Sequence, residues 1–90
     1  MLFMVVERFL NGEAKPVYRR FRDHGRLAPE GLTVVGSWVD AGLGRVFQLM
    51  ECEDVRLIQQ WTAAWEDLVE FEVIAVVPGE ETAAALDLLL

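Results

Sequence analysis

Ser37 and Gln48 are the polar residues of this chain whose setting points most directly to a ligand. The pattern around them places them opposite one another on neighbouring strands of an apolar sheet, on the face away from Trp38. Two uncharged polar groups inside an apolar chamber need partners, and a bound small molecule would supply them. Bonding to each other or to water is the plainer alternative. Trp38 and His24 complete the set of pocket candidates. Trp38, Trp61 and Trp65 offer aromatic surface, although tryptophans in such patterns more commonly fill a core. His24 is the only histidine and falls at the end of a predicted helix, where the dipole favours its charged form. No carboxylate or second histidine is identifiable beside it, so no catalytic pair is assigned. Glu7, Arg8 and Glu51 lie near strand ends and read as solvent contacts rather than the mouth of a cavity.

Several chemistries are excluded by residue type. One histidine and one cysteine cannot make a zinc site, and the acidic pairs lack calcium-loop spacing, so no metal is expected. Gly42-x-Gly44 sits in a hairpin turn, not at the strand-to-helix junction that a phosphate cradle requires. No organic cofactor is expected either. Cys52 is the single cysteine, which rules out an internal disulfide and fits an inert buried thiol in a reducing cytoplasm.

The formal net charge of −7 argues against nucleic acid or an anionic membrane surface as a partner. The charge is uneven: residues 1–50 carry seven basic and five acidic side chains, residues 51–90 one and ten. Lys15, Arg19, Arg20, Arg22 and Arg26 cluster on the first helix and the turn after it, as a solvated face or as an anion or partner site. The apolar run in Met1–Phe9 is broken by Glu7 and Arg8, too early for a signal segment or a membrane span.

The elements that must position these residues follow from hydropathy period and turn signals. Leu2–Phe9 reads as a buried strand closed by Asn11-Gly12. A helix begins near Glu13 or Ala14 with Pro16 in its first turn and Val17, Tyr18 and Phe21 as its apolar stripe. Asp23-His24-Gly25 closes it, with Gly25 suited to a left-handed cap. Leu32–Asp40 and Arg45–Cys52 form a hairpin in which Asp40 faces Arg45, Trp38 faces Phe47 and Gly36 faces Leu49. One hairpin face then carries Leu32, Val34, Gly36, Trp38, Phe47, Leu49 and Glu51. The other carries Thr33, Val35, Ser37, Val39, Val46, Gln48, Met50 and Cys52. Asp54 caps a second helix that runs to about Trp65, with Ile58, Trp61 and Trp65 inward. Leu68–Val77 is the fourth strand, with Glu70 and Glu72 toward water.

Strand, helix, strand, strand, helix, strand is the split βαβ order. It predicts an α+β, ferredoxin-like βαββαβ domain over residues 1–77, with a four-stranded antiparallel sheet in the order 4-1-3-2 and both helices on one face. Residues 78–90 form a tail, a short helix ending in three leucines. The two central strands are apolar on both faces, and helices can cover only one. With 53 % hydrophobic residues and a mean hydropathy of +0.26, so small a chain has apolar surface to spare. A second copy of the chain is the cheapest cover, which predicts a homodimer.

Certain strings are distinctive in order: Met1–Phe9, Val17–Phe21, Gly25–Leu32, Ser37-Trp38-Val39, Phe47–Cys52 and Trp65–Glu72. Together they resemble the short bacterial proteins of domain-of-unknown-function family 3303 over residues 1–77. The resemblance implies a dimeric α+β barrel, in which two ferredoxin-like sheets pack face to face. It implies no activity and carries over no catalytic residue. The leading expectation is a cytoplasmic homodimeric barrel enclosing a pocket for a small apolar molecule. The alternative is a cofactor-independent enzyme, monooxygenase- or isomerase-like, acting on a small aromatic or apolar metabolite. A third is a larger assembly, with basic first helices meeting acidic C-terminal halves.

Overall fold

A computed structural model describes all 90 residues, Met1–Leu90. β1 (Leu2–Phe9) passes through a short 3-10 turn at Leu10–Gly12 into α1 (Lys15–His24). β2 (Thr33–Val39) and β3 (Arg45–Glu51) form the hairpin, followed by α2 (Arg56–Ala63), β4 (Val69–Val76) and α3 (Gly79–Asp87). The four strands make one antiparallel sheet in the order β2-β3-β1-β4, the expected arrangement read from the other edge.

β1 and β3 are central because they are the two strands whose side chains can be buried in both directions. Phe3, Val5, Phe9, Val46, Met50 and Val69 join Ile58, Trp61 and Trp65 from the α2 side in one core. Local signals end the helices as their chemistry requires. Gly25 stops α1 with its N–H on the Phe21 carbonyl at 2.8 Å. Its φ of 73° and ψ of −163° belong to a region essentially reserved for glycine, not to the left-handed helical cap that was expected. Asp54 Oδ1 accepts the Arg56 N–H at 2.9 Å, so it does close the exposed start of α2. The helix stops at Ala63 and continues only as turns, yet Trp65 still reaches the core at 4 % exposure.

The hairpin register holds from Trp38↔Phe47 to Gly36↔Leu49 and then changes. A bulge at Val35 pairs Val34 with Met50 and Thr33 with Glu51. The extra residue turns every side chain before it to the opposite face. Leu32 and Val34 therefore pack toward the helices, Leu32 fully buried, where simple alternation had placed them beside Trp38.

Trp38 itself is not core. It lies 58 % exposed on the sheet face opposite the helices. Its ring folds back over Gly36, where a Cβ would come within 2.5 Å of it. Leu2, Met4, Val6, Phe47, Leu49, Ile74 and Val76 share that uncovered face by register.

α3 covers nothing. All of its residues and the leucines after it are exposed, and the chain's radius of gyration is 15.0 Å. A compact domain of this length would have about 12 Å.

Ile58, 2 % exposed between the sheet and α2, provides a direct test of the core. Ile58→Ala is expected to lower unfolding stability by about 3 kcal/mol through lost burial and an unfilled cavity. Urea denaturation followed by tryptophan fluorescence measures it, and a loss under about 1 kcal/mol would contradict this packing.

Candidate functional site

α1 buries none of its residues. Val17 is half-buried, while Tyr18 and Phe21 are more than 40 % exposed, so the apolar stripe faces the sheet without closing on it. The helix is instead held at its far side. Arg20 donates two hydrogen bonds to the Asp67 carboxylate and a third, at 2.9 Å, to the Ala64 carbonyl. Its guanidinium also lies over the Trp65 ring, 5.4 Å from the centroid. These contacts join part of the basic helix to the acidic half of the same chain. The bonding to Arg20 holds the Asp67 carboxyl below the usual aspartate range.

The loop after α1 is fixed from below. The Arg26 carbonyl accepts the indole N–H of Trp61 at 3.1 Å and that of Trp65 at 2.9 Å. The peptide that carries this carbonyl runs into Leu27, whose φ is +63°. A branched side chain pays about 1 kcal/mol or more there, and two buried indole hydrogen bonds offset that cost.

Between α1 and the sheet this arrangement leaves a cavity of about 170 Å³. Tyr18, Phe21, Trp61 and Trp65 form its aromatic walls, with Val17, Val39 and Val46 beside them. Its polar lining is Glu7, Arg26, Ser37 and Gln48. Glu7 and Gln48 are 5 % and 6 % exposed, the only polar residues buried in the core. They are diagonal neighbours on one face of the two central strands, Glu7 pairing with Val46 and Gln48 with Val5, and the Gln48 amide N–H donates to a Glu7 carboxyl oxygen. Burial pushes the Glu7 carboxyl above its ordinary range; the bond from Gln48 and the charge of Arg26 oppose this without overcoming it. The other Gln48 amide atom, Oε1, is sealed from solvent and has no partner.

Ser37 and Gln48 are paired as the register requires and both line this cavity, but no hydrogen bond joins them. The cavity also lies on the helix side of the sheet, not on the uncovered face. Trp38 is on that opposite face. His24 is exposed at the end of α1 and does not line the cavity. Glu7 is the residue that sequence reasoning missed. Its position near a strand end suggested solvent, whereas alternation with Phe3, Val5 and Phe9 puts it on the helix-covered face. No group of three or more histidine, cysteine, aspartate or glutamate side chains is arranged to hold a metal ion.

The chain matches the family described as Domain of unknown function (DUF3303) over residues 1–90, and it belongs to that family. The match extends through α3, beyond the 77 residues that carried the resemblance. No curated protein and no solved structure matches it. No helix is long and apolar enough to cross a membrane.

The raised Glu7 carboxyl makes folding stability depend on pH with a defined sign. Below the ordinary glutamate pKa both folded and unfolded chains are protonated and Glu7 exacts no penalty. As pH rises past that value the unfolded chain ionises first, and stability falls until the folded carboxyl has also ionised. Glu7→Gln removes this contribution. The variant is expected to gain stability relative to the natural chain as pH rises above the ordinary glutamate range. Urea titrations from that range upward read the difference, and a gap that shrinks as pH rises would refute the assignment.

Proposed function

We propose that this family member is a homodimeric α+β barrel that binds a small, mainly apolar molecule in the cavity beneath α1. The gap that α1 leaves above the sheet carries the ligand part of this proposal. Four aromatic side chains surround it, and the buried pair Glu7 and Gln48 supplies polar groups at its floor. Apolar walls with a few converging polar groups are the usual chemistry of a small-molecule site.

The dimer is supported by the other side of the sheet. Leu2, Met4, Val6, Phe47, Leu49, Ile74 and Val76 occupy the uncovered face, with Trp38 beside them. Within that strip only Val6 is buried in the single chain; the other side chains remain partly or fully exposed. Toward one end it gives way to Arg8, Arg45, Glu70 and Glu72, of which Arg8 and Glu72 approach at 3.5 Å. An apolar centre with a charged margin of both signs suits two sheets packed face to face about a two-fold axis. The lone cysteine, buried as a free thiol, suits a reducing cytoplasm.

Glu7 favours a second function, a cofactor-independent enzyme acting on a small aromatic or apolar metabolite. A titratable carboxyl with a raised pKa inside an apolar cavity is suited to exchange a proton with a bound molecule. On that account Glu7→Gln would abolish turnover of such a molecule.

Native mass spectrometry on gently purified protein tests the main proposal. The expected species at micromolar concentration is a dimer carrying the extra mass of a small molecule. Met4→Glu, which sets a charge in the apolar strip, is expected to give monomer. A natural chain that is monomeric at micromolar concentration would refute the barrel, and a dimer of bare mass would refute a retained ligand.

A further inference from the structure

The cavity beneath α1 holds acceptor oxygens that the protein does not satisfy. Gln48 Oε1 is buried without a partner, and the sole hydrogen bond to the Glu7 carboxyl comes from Gln48. The Ser37 and Tyr18 hydroxyls also line the cavity but bond to neither oxygen, and the indole and guanidinium groups are engaged elsewhere. Both indole N–H groups of Trp61 and Trp65 go to the Arg26 carbonyl. The Arg26 guanidinium is stacked over the Phe21 ring, 5.4 Å from its centroid. A buried acceptor left in this state favours any ligand that brings a donor to it.

The walls define the rest of that ligand. Tyr18 and Phe21 of α1 face Trp61 and Trp65 across a space of about 170 Å³. A dry apolar cavity of about 150 Å³ holds one benzene ring. A ring with a single small substituent therefore fits. A carboxylate on the ligand would meet the Glu7 carboxyl in a poorly hydrated space, where two such groups repel when ionised. A hydroxyl avoids this, and because it both donates and accepts it can serve the Gln48 amide whichever way that group is turned.

We infer that the cavity takes a single aromatic ring bearing a hydroxyl group, with the hydroxyl held by Glu7 and Gln48 and the ring among Tyr18, Phe21, Trp61 and Trp65. This rests on the proposal that the cavity binds a small molecule, and it adds the chemical class.

Para-cresol and para-xylene have nearly the same shape and differ by a hydroxyl in place of a methyl group. Titrating each into the full-length protein, while following the Trp61 and Trp65 indole N–H signals by NMR, separates the two ideas. The expected result is binding of both, with para-cresol tighter by about tenfold or more. Gln48→Met, which keeps the length of the side chain but not its amide, is expected to bring the two affinities together. Should that variant fail to fold, the comparison on the natural chain still decides. Equal affinities there would overturn the hydroxyl while leaving a small-molecule cavity standing. Benzoate binding tighter than para-cresol would overturn it in favour of an Arg26-centred anion site. If none of the three moved the indole signals of the folded protein, the cavity itself would be refuted as a binding site, and this inference with it.

Discussion

The carbonyl of Arg26, which receives both the Trp61 and the Trp65 indole N–H, is the contact on which the arrangement of the helical layer depends. Two large aromatic residues separated by one helical turn can enter an apolar core only if each N–H finds an acceptor there. A single backbone oxygen from the loop after α1 satisfies both. That choice ties the end of α1 to α2 and holds the Arg26–Leu27 peptide in place despite the positive φ at Leu27. It also sets where α1 must lie. With its C-terminal loop drawn to the tryptophans and Arg20 locked to Asp67 and Ala64, the helix spans the sheet without settling on it. The cavity is the space that these fixed points leave.

The floor of that space is chemically unusual for so small a protein. A domain of 90 residues has little stability to spare, and a buried carboxyl detracts from it at neutral pH. Glu7 nonetheless lies on the buried face of a central strand, between Val5 and Phe9. Its partner Gln48 leaves half of its amide unsatisfied. Groups that weaken a core and are not paired off within it are where binding or proton chemistry concentrates. A carboxyl inclined to stay protonated can present either a donor or an acceptor, which an aliphatic side chain of the same size could not.

The two faces of the sheet are thus put to different uses. The helix-covered face contains the cavity and the polar pair; the uncovered face is an apolar strip with Arg8, Arg45, Glu70 and Glu72 toward one end and Glu51 at the other. α3 and the terminal leucines extend away from both. Neither the tail nor most of the strip is covered within one copy.

Much of this was legible in the sequence because it rests on local periodicity. The element order, the sheet order, the hairpin register near Trp38 and the inward stripe of Ile58, Trp61 and Trp65 all follow from which residues are apolar and where turns fall. The pairing of Ser37 with Gln48 followed too, from a hairpin of fixed length. What could not be read was anything set by a single inserted residue or by contacts between distant segments. The bulge at Val35 moved Leu32 and Val34 across the sheet, a change of one residue that composition does not register. The side of the sheet on which Gln48 is buried, and the solvent exposure of Trp38, depended on which face the helices took. Glu7 looked like a strand-end charge because its burial is imposed by α1 and α2, elements that follow it in the chain. Sequence alone determined the strands, the helices and their order, since each is specified by its own apolar period. Only the tertiary structure decided that Glu7 and Gln48 share a cavity, because they lie 41 residues apart and meet solely through the β1–β3 ladder.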